Sequence, residues 1–437
     1  MENSISNLNP IKDLERIQSL DVMRGIVLCG ILLMNINGFG LAESYIDPTI
    51  AGGSTGLSLY TWITANMLFE GTMRALFSLL FGVGMFMLLD RLDKKGAGIA
   101  GADIYFRRLM WLLFLGIIHG YLLVWQGEIL YNYALMGFFV FSFRRLAPQK
   151  LILAAVILFT IGGIWNYFEY RSKVDFVKNV EEAALLTSEG KELTKDLKDA
   201  TKEWGEIQES RSAEAINFHN ESMRKGYFDV VAFNAPFVMK WKTYGVYRYD
   251  LWDILSMMLL GIALYKLNVL SAEKSFKFYI TMSVIGYVIG LIFNYFETKN
   301  ILVNNFSYIS FYKSAVTYDL GRIPIAFGHI GLIMIFCKLS FFQWIKSGIA
   351  AIGKMALTNY LMHSLICLIV FTGVGFGLFG KLERYELLYV VFGIWVFQFI
   401  LSPIWLKYYH FGPVEYLWRN LTYLKKHKFR RVTNFDQ

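Results

Sequence analysis

Of 437 residues, 55% are hydrophobic and 17% aromatic, with a mean hydropathy of +0.42, which is more apolar surface than a soluble globular domain needs. The formal charge of +9, from 43 Lys and Arg against 34 Asp and Glu, would suggest a nucleic-acid partner for a soluble chain. In a membrane chain, basic loops facing anionic headgroups account for it, and no nucleic acid is expected.

Apolar runs of spanning length, roughly 17 to 25 residues, predict ten helices, and the fold class is all-α polytopic membrane protein. The runs lie near 20–39, 62–89, 105–124, 128–143, 151–168, 251–267, 276–294, 322–339, 350–371 and 385–405. The second is long enough to be kinked or tilted. Leu20 to Phe39 has no small-residue cleavage site and is expected to stay as the first helix.

Short cytoplasmic loops carry an excess of Lys and Arg, and with a cytoplasmic N-terminus the inner loops hold them. These are Arg91, Lys94, Lys95, Arg107 and Arg108, then Arg144, Arg145 and Lys150, then Lys266, Lys274 and Lys277, then Lys338 and Lys346. The outer loops between spans one and two, and between three and four, hold none. Both termini are therefore expected in the cytoplasm, with the chain crossing a bacterial cytoplasmic (inner) membrane. The predicted organisation is a five-helix half over 1–168, an extracytoplasmic insertion over 169–250, a second five-helix half over 251–406 and a basic tail over 407–437.

In the insertion, Val174 to Phe218 carries Phe176, Val180, Ala184, Leu193 and Leu197 at helical spacing, which predicts amphipathic helices. Phe228 to Phe237 and Tyr244 to Tyr249 are aromatic with interspersed polar groups, the composition of an interfacial segment. A lid over an outward cavity and a solvated spacer with an aromatic anchor both fit. Cys29, Cys337 and Cys367 fall within predicted spans without metal-type spacing, and no metal is expected.

Ionisable groups are costly in hydrocarbon and mark the chemistry when they occur there. By depth they form two layers. Asp21 and Arg24 pair on the first turn of span one, and Arg107, Arg108 and Lys354 lie at similar depth near the cytoplasm. Toward the middle and outer half lie Asn35, Asn37, Glu70, Arg74, His119, Glu128, Asn132, His329, Asn359 and His363. Glu70 and Arg74, four apart, have the favourable orientation for an ion pair on one helix face. Gly116 and Gly120 around His119 make a small-xxx-small pattern that turns His119 toward another helix. The tight turn through Trp125-Gln126-Gly127 brings Glu128 back beside it, so the carboxylate can orient the imidazole as a general base requires. A satisfied core hydrogen bond accounts for His119 equally well. Walker, dinucleotide and serine-elbow motifs are absent from the sequence.

The block Leu20-Asp21-Val22-Met23-Arg24-Gly25-Ile26, continued by Gly30-Ile31-Leu32-Leu33-Met34-Asn35-Ile36, resembles the opening of the YeiB-like bacterial membrane proteins, a domain of unknown function. The likeness continues in Leu76-Phe77-Ser78-Leu79-Leu80-Phe81-Gly82-Val83-Gly84, Gly116-Ile117-Ile118-His119-Gly120 and Trp125-Gln126-Gly127-Glu128-Ile129-Leu130. It ends with Met355-Ala356-Leu357-Thr358-Asn359-Tyr360-Leu361 and Gly412-Pro413-Val414-Glu415-Tyr416-Leu417-Trp418-Arg419. The Leu-Asp-x-x-Arg-Gly opening is also similar to membrane acyltransferases of the heparan-glucosaminide N-acetyltransferase type. That resemblance implies transfer of an acyl group from cytoplasmic acyl-CoA to an extracytoplasmic acceptor such as a glycan. Glu128 stands where the family more commonly carries Asp, and His363 where relatives can carry an uncharged polar residue. The histidine that the heparan-type enzymes use after their first span has no counterpart in Asn37-Gly38-Phe39-Gly40.

On this reading Arg24, Arg107, Arg108 and Lys354 hold the coenzyme A phosphates, although positive-inside topology alone also explains them. His119 is the base, Glu128 orients it, and Asn35 or Asn359 stabilises the oxyanion. Asp21, Glu70, Arg74, His329 and His363 are secondary candidates. The rival reading is a transporter or permease for a small solute, with the same buried His and carboxylate groups forming its path.

Overall fold

The computed structural model describes residues 17–42 and 47–431, and every apolar run of the sequence is helical over most of its length. Among the described residues, extended pairing is limited to one isolated antiparallel bridge, Tyr409 with Arg430. The first run is α1 (Gln18–Gly40). The second run is two helices, α2 (Gly56–Leu68) and α3 (Thr72–Lys94). Between them Gly71 has φ +64°, and a Cβ there would collide with the Tyr318 hydroxyl. Glycine alone takes that backbone without strain.

Next come α4 (Gly98–Leu122), α5 (Leu130–Phe143) and α6 (Pro148–Ser188). Pro148 opens α6 where a missing N–H costs nothing. Its 41 residues reach roughly 60 Å, about twice the hydrocarbon thickness, so its second half projects beyond the apolar layer. The insertion continues as α7 (Lys195–Ser210), α8 (Ala213–Met223) and α9 (Tyr227–Lys240). Thr194 and Ser212 cap α7 and α8 by accepting from the Leu197 and Ala215 amides. A π-helical segment, Trp241–Asp250, then leads without a break into α10 (Leu251–Lys266).

The remaining helices are α11 (Phe276–Val303), α12 (Tyr308–Lys338), α13 (Gln343–Lys354), α14 (Ala356–Phe371), α15 (Leu387–Tyr408) and α16 (Pro413–Tyr423). The chain bends by 80° between α13 and α14, so the predicted ninth span is a broken one.

Among the described residues six stretches are long and apolar enough to cross a membrane: α1, α2 with α3, α6, α11, α12 and α15; the bent α13–α14 pair makes a seventh. Burial separates them. The apolar window of α2–α3 is 72% buried and that of α1 61%, against 17% for α6 and 22% for α11. The exposed faces of the outer helices are apolar, as with Leu153, Val156 and Ile157 on α6 and Val284, Ile285 and Val288 on α11. Contiguous apolar surface of this kind needs a bilayer or a partner to cover it. Helix α10 is the opposite case, with every residue from Asp253 to Leu264 buried, and it forms the centre of the bundle.

The glycine of the Leu-Asp-x-x-Arg-Gly block has a direct packing reason. A Cβ on Gly25 would strike the Ile349 carbonyl, and one on Gly353 would strike the Asp21 carbonyl. These two glycines let α1 and α13 meet backbone to backbone. Gly353→Val forces the helices apart and is expected to cost about 1 to 3 kcal/mol, measured as a lowered melting temperature in detergent. Gly393→Val, where nothing lies within 4 Å, serves as control and should stay within about 0.5 kcal/mol. Equal losses in the two variants would contradict the packing argument.

Candidate functional site

His119 reaches the middle of the bundle because Gly116, one turn earlier, lets the start of α5 lie on α4; a Cβ there would meet the Tyr131 backbone. Its ring is fully buried. Nε2 lies 2.6 Å from Ser364 Oγ of α14, and Nδ1 lies 3.9 Å from Glu128 Oε1. The expected hydrogen bond from His119 to Glu128 is thus not made, and Nδ1 has no hydrogen-bond partner among the described residues, because the carboxylate is taken by other donors. Glu128 accepts from the Leu130 and Tyr131 amides at the start of α5 and from the Lys242 ammonium. Lys242 also donates to the Glu128 carbonyl at 2.7 Å. The Tyr360 ring packs edge-on against His119, centroids 4.9 Å apart.

The π-helical segment supplies this centre with charge. It begins beside Lys242 and ends at Asp250, both buried. Wide π turns often occur at functional sites, and this one serves two. Asp250 Oδ2 accepts from Asn132 at 2.6 Å, and its other oxygen lies 3.5 Å from Arg74. Arg74 continues to Asp253 at 2.6 Å, Asp253 to Arg322 at 2.7 Å, and Arg322 Nε donates to Asp319 at 2.8 Å. A chain of alternating charges, buried at Asp250, Asp253 and Arg322 and half-buried at Arg74 and Asp319, therefore links α3, α10 and α12.

The expected Glu70–Arg74 pair is not made. Gly71 breaks the helix between them, so Arg74 turns to Asp253 of α10 and to Asp250 just before it, while Glu70 accepts from the Tyr318 hydroxyl at 3.4 Å.

A cavity of about 270 Å³ opens at the end of the bundle that carries Arg24, Arg91, Arg108, Lys354 and Arg419. Past this rim its wall is apolar, including Leu80, Phe81, Leu88 and Leu112, and its inner limit includes Leu130, Tyr133 and Tyr360. The Tyr360 ring therefore stands between the cavity and His119. At the mouth, Arg24 pairs with Asp21 at 2.9 Å. The Arg108 guanidinium lies 3.5 Å over the Trp418 ring, and Arg91 donates to the Tyr423 hydroxyl at 3.0 Å. Arg108 Nε and Arg91 Nε and Nη1 are buried without a hydrogen-bond partner among the described residues. Buried donors of this sort suit an anionic ligand. Glu415 of α16 accepts from the Leu357 and Thr358 amides and so fixes the start of α14.

Several expected positions lie elsewhere. Arg107 is not at the cavity, since its guanidinium is held by Asp103, one turn back, and by the Thr422 carbonyl. Asn359 spends both amide hydrogens on the Ile352 carbonyl and Ser402 Oγ, each 3.1 Å away, which braces the α13–α14 bend and leaves no donor for an oxyanion. Asn35 is half-buried on α1 and does not line the cavity. His329 is satisfied by the Tyr287 hydroxyl at 2.6 Å and the Leu68 carbonyl at 2.9 Å. His363, beside Ser364, lies 3.0 Å from Gln398 Oε1.

On the side of His119 away from the basic rim is a small pocket of about 20 Å³, lined in part by Phe39, Trp125, Cys367, Leu368, His219 and Asn234. The last two belong to the insertion, which therefore covers this end. Burial against Phe233, Phe237 and Phe379 pushes the His219 imidazole down to about 4 from an ordinary 6.5. The unfolded insertion binds that proton below 6.5 and the folded one does not, so stability present at neutral pH falls as pH drops from 6.5 toward 4. The loss is at most about 3 kcal/mol. Amide exchange in α8 and α9, corrected for intrinsic rate, should quicken over that range, and His219→Phe should flatten the profile. An unchanged profile in that variant would assign the effect to other groups.

Ser364, Lys242, Arg91 and Arg419 join the site without having been singled out from sequence. For Lys242 the available signal was a lysine and an aspartate flanking the aromatic run immediately before span six.

Residues 264–425 match the model of a family described as a protein of unknown function, DUF418. Over nearly its whole length the chain is similar to the uncharacterized protein YeiB of Escherichia coli (strain K12), at 31% identity over 94% of this chain and 97% of that one. It is also similar to the uncharacterized protein YxaH of Bacillus subtilis (strain 168), at 28% identity over 96% and 97% of the two chains. No solved structure matches it.

Proposed function

The chain belongs to the YeiB-like family of bacterial membrane proteins, and from that membership and the geometry around His119 we propose a membrane acyltransferase. It takes an acyl group from cytoplasmic acyl-CoA and delivers it to an extracytoplasmic acceptor such as a glycan. In this reading the apolar helices form ten spans in the inner membrane with both termini in the cytoplasm. The basic rim then faces the coenzyme.

The observation that carries the reading is the pairing of buried, unpartnered guanidinium nitrogens on Arg91 and Arg108 with an apolar cavity that ends on Tyr360 against His119. Phosphates of the donor bind Arg91 and Arg108, with Arg24 and Lys354 adding charge. The arm of the donor lies along Leu80, Phe81 and Leu112 and brings the thioester to Tyr360. His119 moves the proton of the transfer, Ser364 and the Tyr360 ring fix its orientation, and Glu128 with Lys242 sets the local charge. Imidazole and carboxylate serve these roles without a metal.

The second reading, a permease for a small solute, is favoured by one feature, the charge chain from Asp319 to Asn132. Proteoliposomes separate the two. With acetyl coenzyme A supplied at the basic face, the acyltransferase releases free thiol, and His119→Ala slows this by about 10² to 10⁴-fold. Arg91→Ala and Arg108→Ala raise the donor KM with little change in kcat. Proton-coupled solute uptake with no thioester consumption would replace this reading by the transporter.

A further inference from the structure

We propose that Ser364 is the nucleophile, and that the acyl group crosses the bundle as an ester on its Oγ; this rests on the acyltransferase reading. The positions around Ser364 on α14 lead to two separate openings. Tyr360, four residues before it, lines the cavity behind the basic rim, together with Ala356 and Leu357. Cys367 and Leu368, three and four residues after it, line the small pocket under the insertion, together with Thr372. Residues at this spacing share one helix face. Ser364 therefore stands between the donor side and the far side, at the point where neither space continues into the other.

His119 can activate it directly. Its Nδ1 faces Glu128, so Nε2 is the nitrogen left for proton transfer, and Ser364 Oγ occupies that position at 2.6 Å. An acceptor hydroxyl cannot reach Nε2 until Ser364 moves. Serine and imidazole are hydrogen-bonded as activation of a hydroxyl for acyl transfer requires, and the Glu128 carboxylate, held by Lys242, lies 3.9 Å from Nδ1, where it offsets the charge of the imidazolium that forms.

In the first step Ser364 Oγ attacks the thioester carbonyl while its proton passes to His119 Nε2. The carbon–sulfur bond breaks, its electron pair leaves with the sulfur, and His119 returns the proton to release coenzyme A as a thiol. The Tyr360 ring swings aside to admit the thioester. In the second step an acceptor hydroxyl, entering from the far pocket, gives its proton to His119 and attacks the ester carbonyl. The bond to Oγ breaks and Ser364 recovers the proton. The far pocket has a group suited to such an acceptor: Asn234 is 7% exposed, and its Nδ2 has no hydrogen-bond partner among the described residues. A pocket of about 20 Å³ holds a single water, so the insertion must open for a sugar hydroxyl to enter, while the resting site shields the ester from bulk water.

The test is acid quench of the full-length protein in nanodiscs after mixing with acyl-labelled acetyl or palmitoyl coenzyme A, without acceptor. Label is expected on the peptide containing Ser364, accumulating in step with thiol release. Ser364→Ala should lose the trapped label and slow thiol release by at least about 10³-fold while still binding desulfo-coenzyme A analogues. Ser364→Cys should carry the label as a thioester cleaved by neutral hydroxylamine. Wild-type turnover with no trapped label, together with a Ser364→Ala rate near that of the wild type, would overturn the ester and leave direct transfer. A wild-type protein that releases no thiol from either donor overturns the acyltransferase reading beneath it.

Discussion

Lys242→Met is expected to destabilise the protein by about 3 to 5 kcal/mol, because it removes the cation from a carboxylate with no access to water. Lys242 is 8% exposed and Glu128 2%, and the ammonium contacts both the carboxylate and the carbonyl of Glu128. Methionine keeps the length and most of the volume, so the loss reports the charge. The stranded carboxylate either takes up a proton or reorganises the α4–α5 turn that also positions His119. Lys242→Met combined with Glu128→Gln should recover much of the stability, since an amide carries no unpaired charge, but none of the transfer activity. Thermal unfolding in one detergent checks both. A single-variant loss below about 1 kcal/mol would mean that water reaches the pair.

Arg322→Leu should cost a similar 3 to 5 kcal/mol, about as much as breaking any buried pair by removing one partner. Arg322 is 1% exposed and bonds both Asp253 and Asp319. Its removal leaves the buried Asp253 carboxylate with Arg74 alone, on a central helix. Adding Asp253→Asn should restore part of the loss, and the shortfall from additivity measures the coupling of the pair. The acyltransferase reading further requires that the repaired double variant keep its transfer rate, because this chain of charges does not touch the cavity. A transporter would lose function in the same variant.

Helices and their order were legible because runs of spanning length have few interpretations in a membrane. Breaks were legible only in part. The length of the second run allowed a kink, but its position at Gly71 did not show, since the left-handed backbone there becomes apparent only against Tyr318. The pairing of Glu70 with Arg74 failed for the same reason, since four-residue spacing brings side chains together only where the helix is continuous.

That His119 and Glu128 come near each other was legible through a local signal, a glycine pattern and a tight turn. Ser364 was not, because a serine among Leu361, Met362 and Leu365 looks like any small core residue, and its partner is 245 positions away. Lys242 was missed for a different reason. The aromatic segment around it has the composition of an interface, whereas its π-helical winding turns Lys242 and Asp250 into the bundle. The basic layer was half legible: Arg24, Arg108 and Lys354 surround the cavity, but Arg107, adjacent to Arg108, is about 100° away around the helix and pairs with Asp103.

The central claim is that a thioester donor enters between the basic residues and reaches the Tyr360 wall beside His119. Photolabelling with an acyl coenzyme A that carries a diazirine on its acyl chain tests this most directly, with digestion and mass spectrometry to place the adducts. Adducts on Tyr360, Phe81 and Leu112, competed by free coenzyme A and lost in a variant combining Arg91→Ala with Arg108→Ala, are the predicted result. Adducts confined to the lipid-facing residues of α6 and α11, indifferent to competitor, would contradict it.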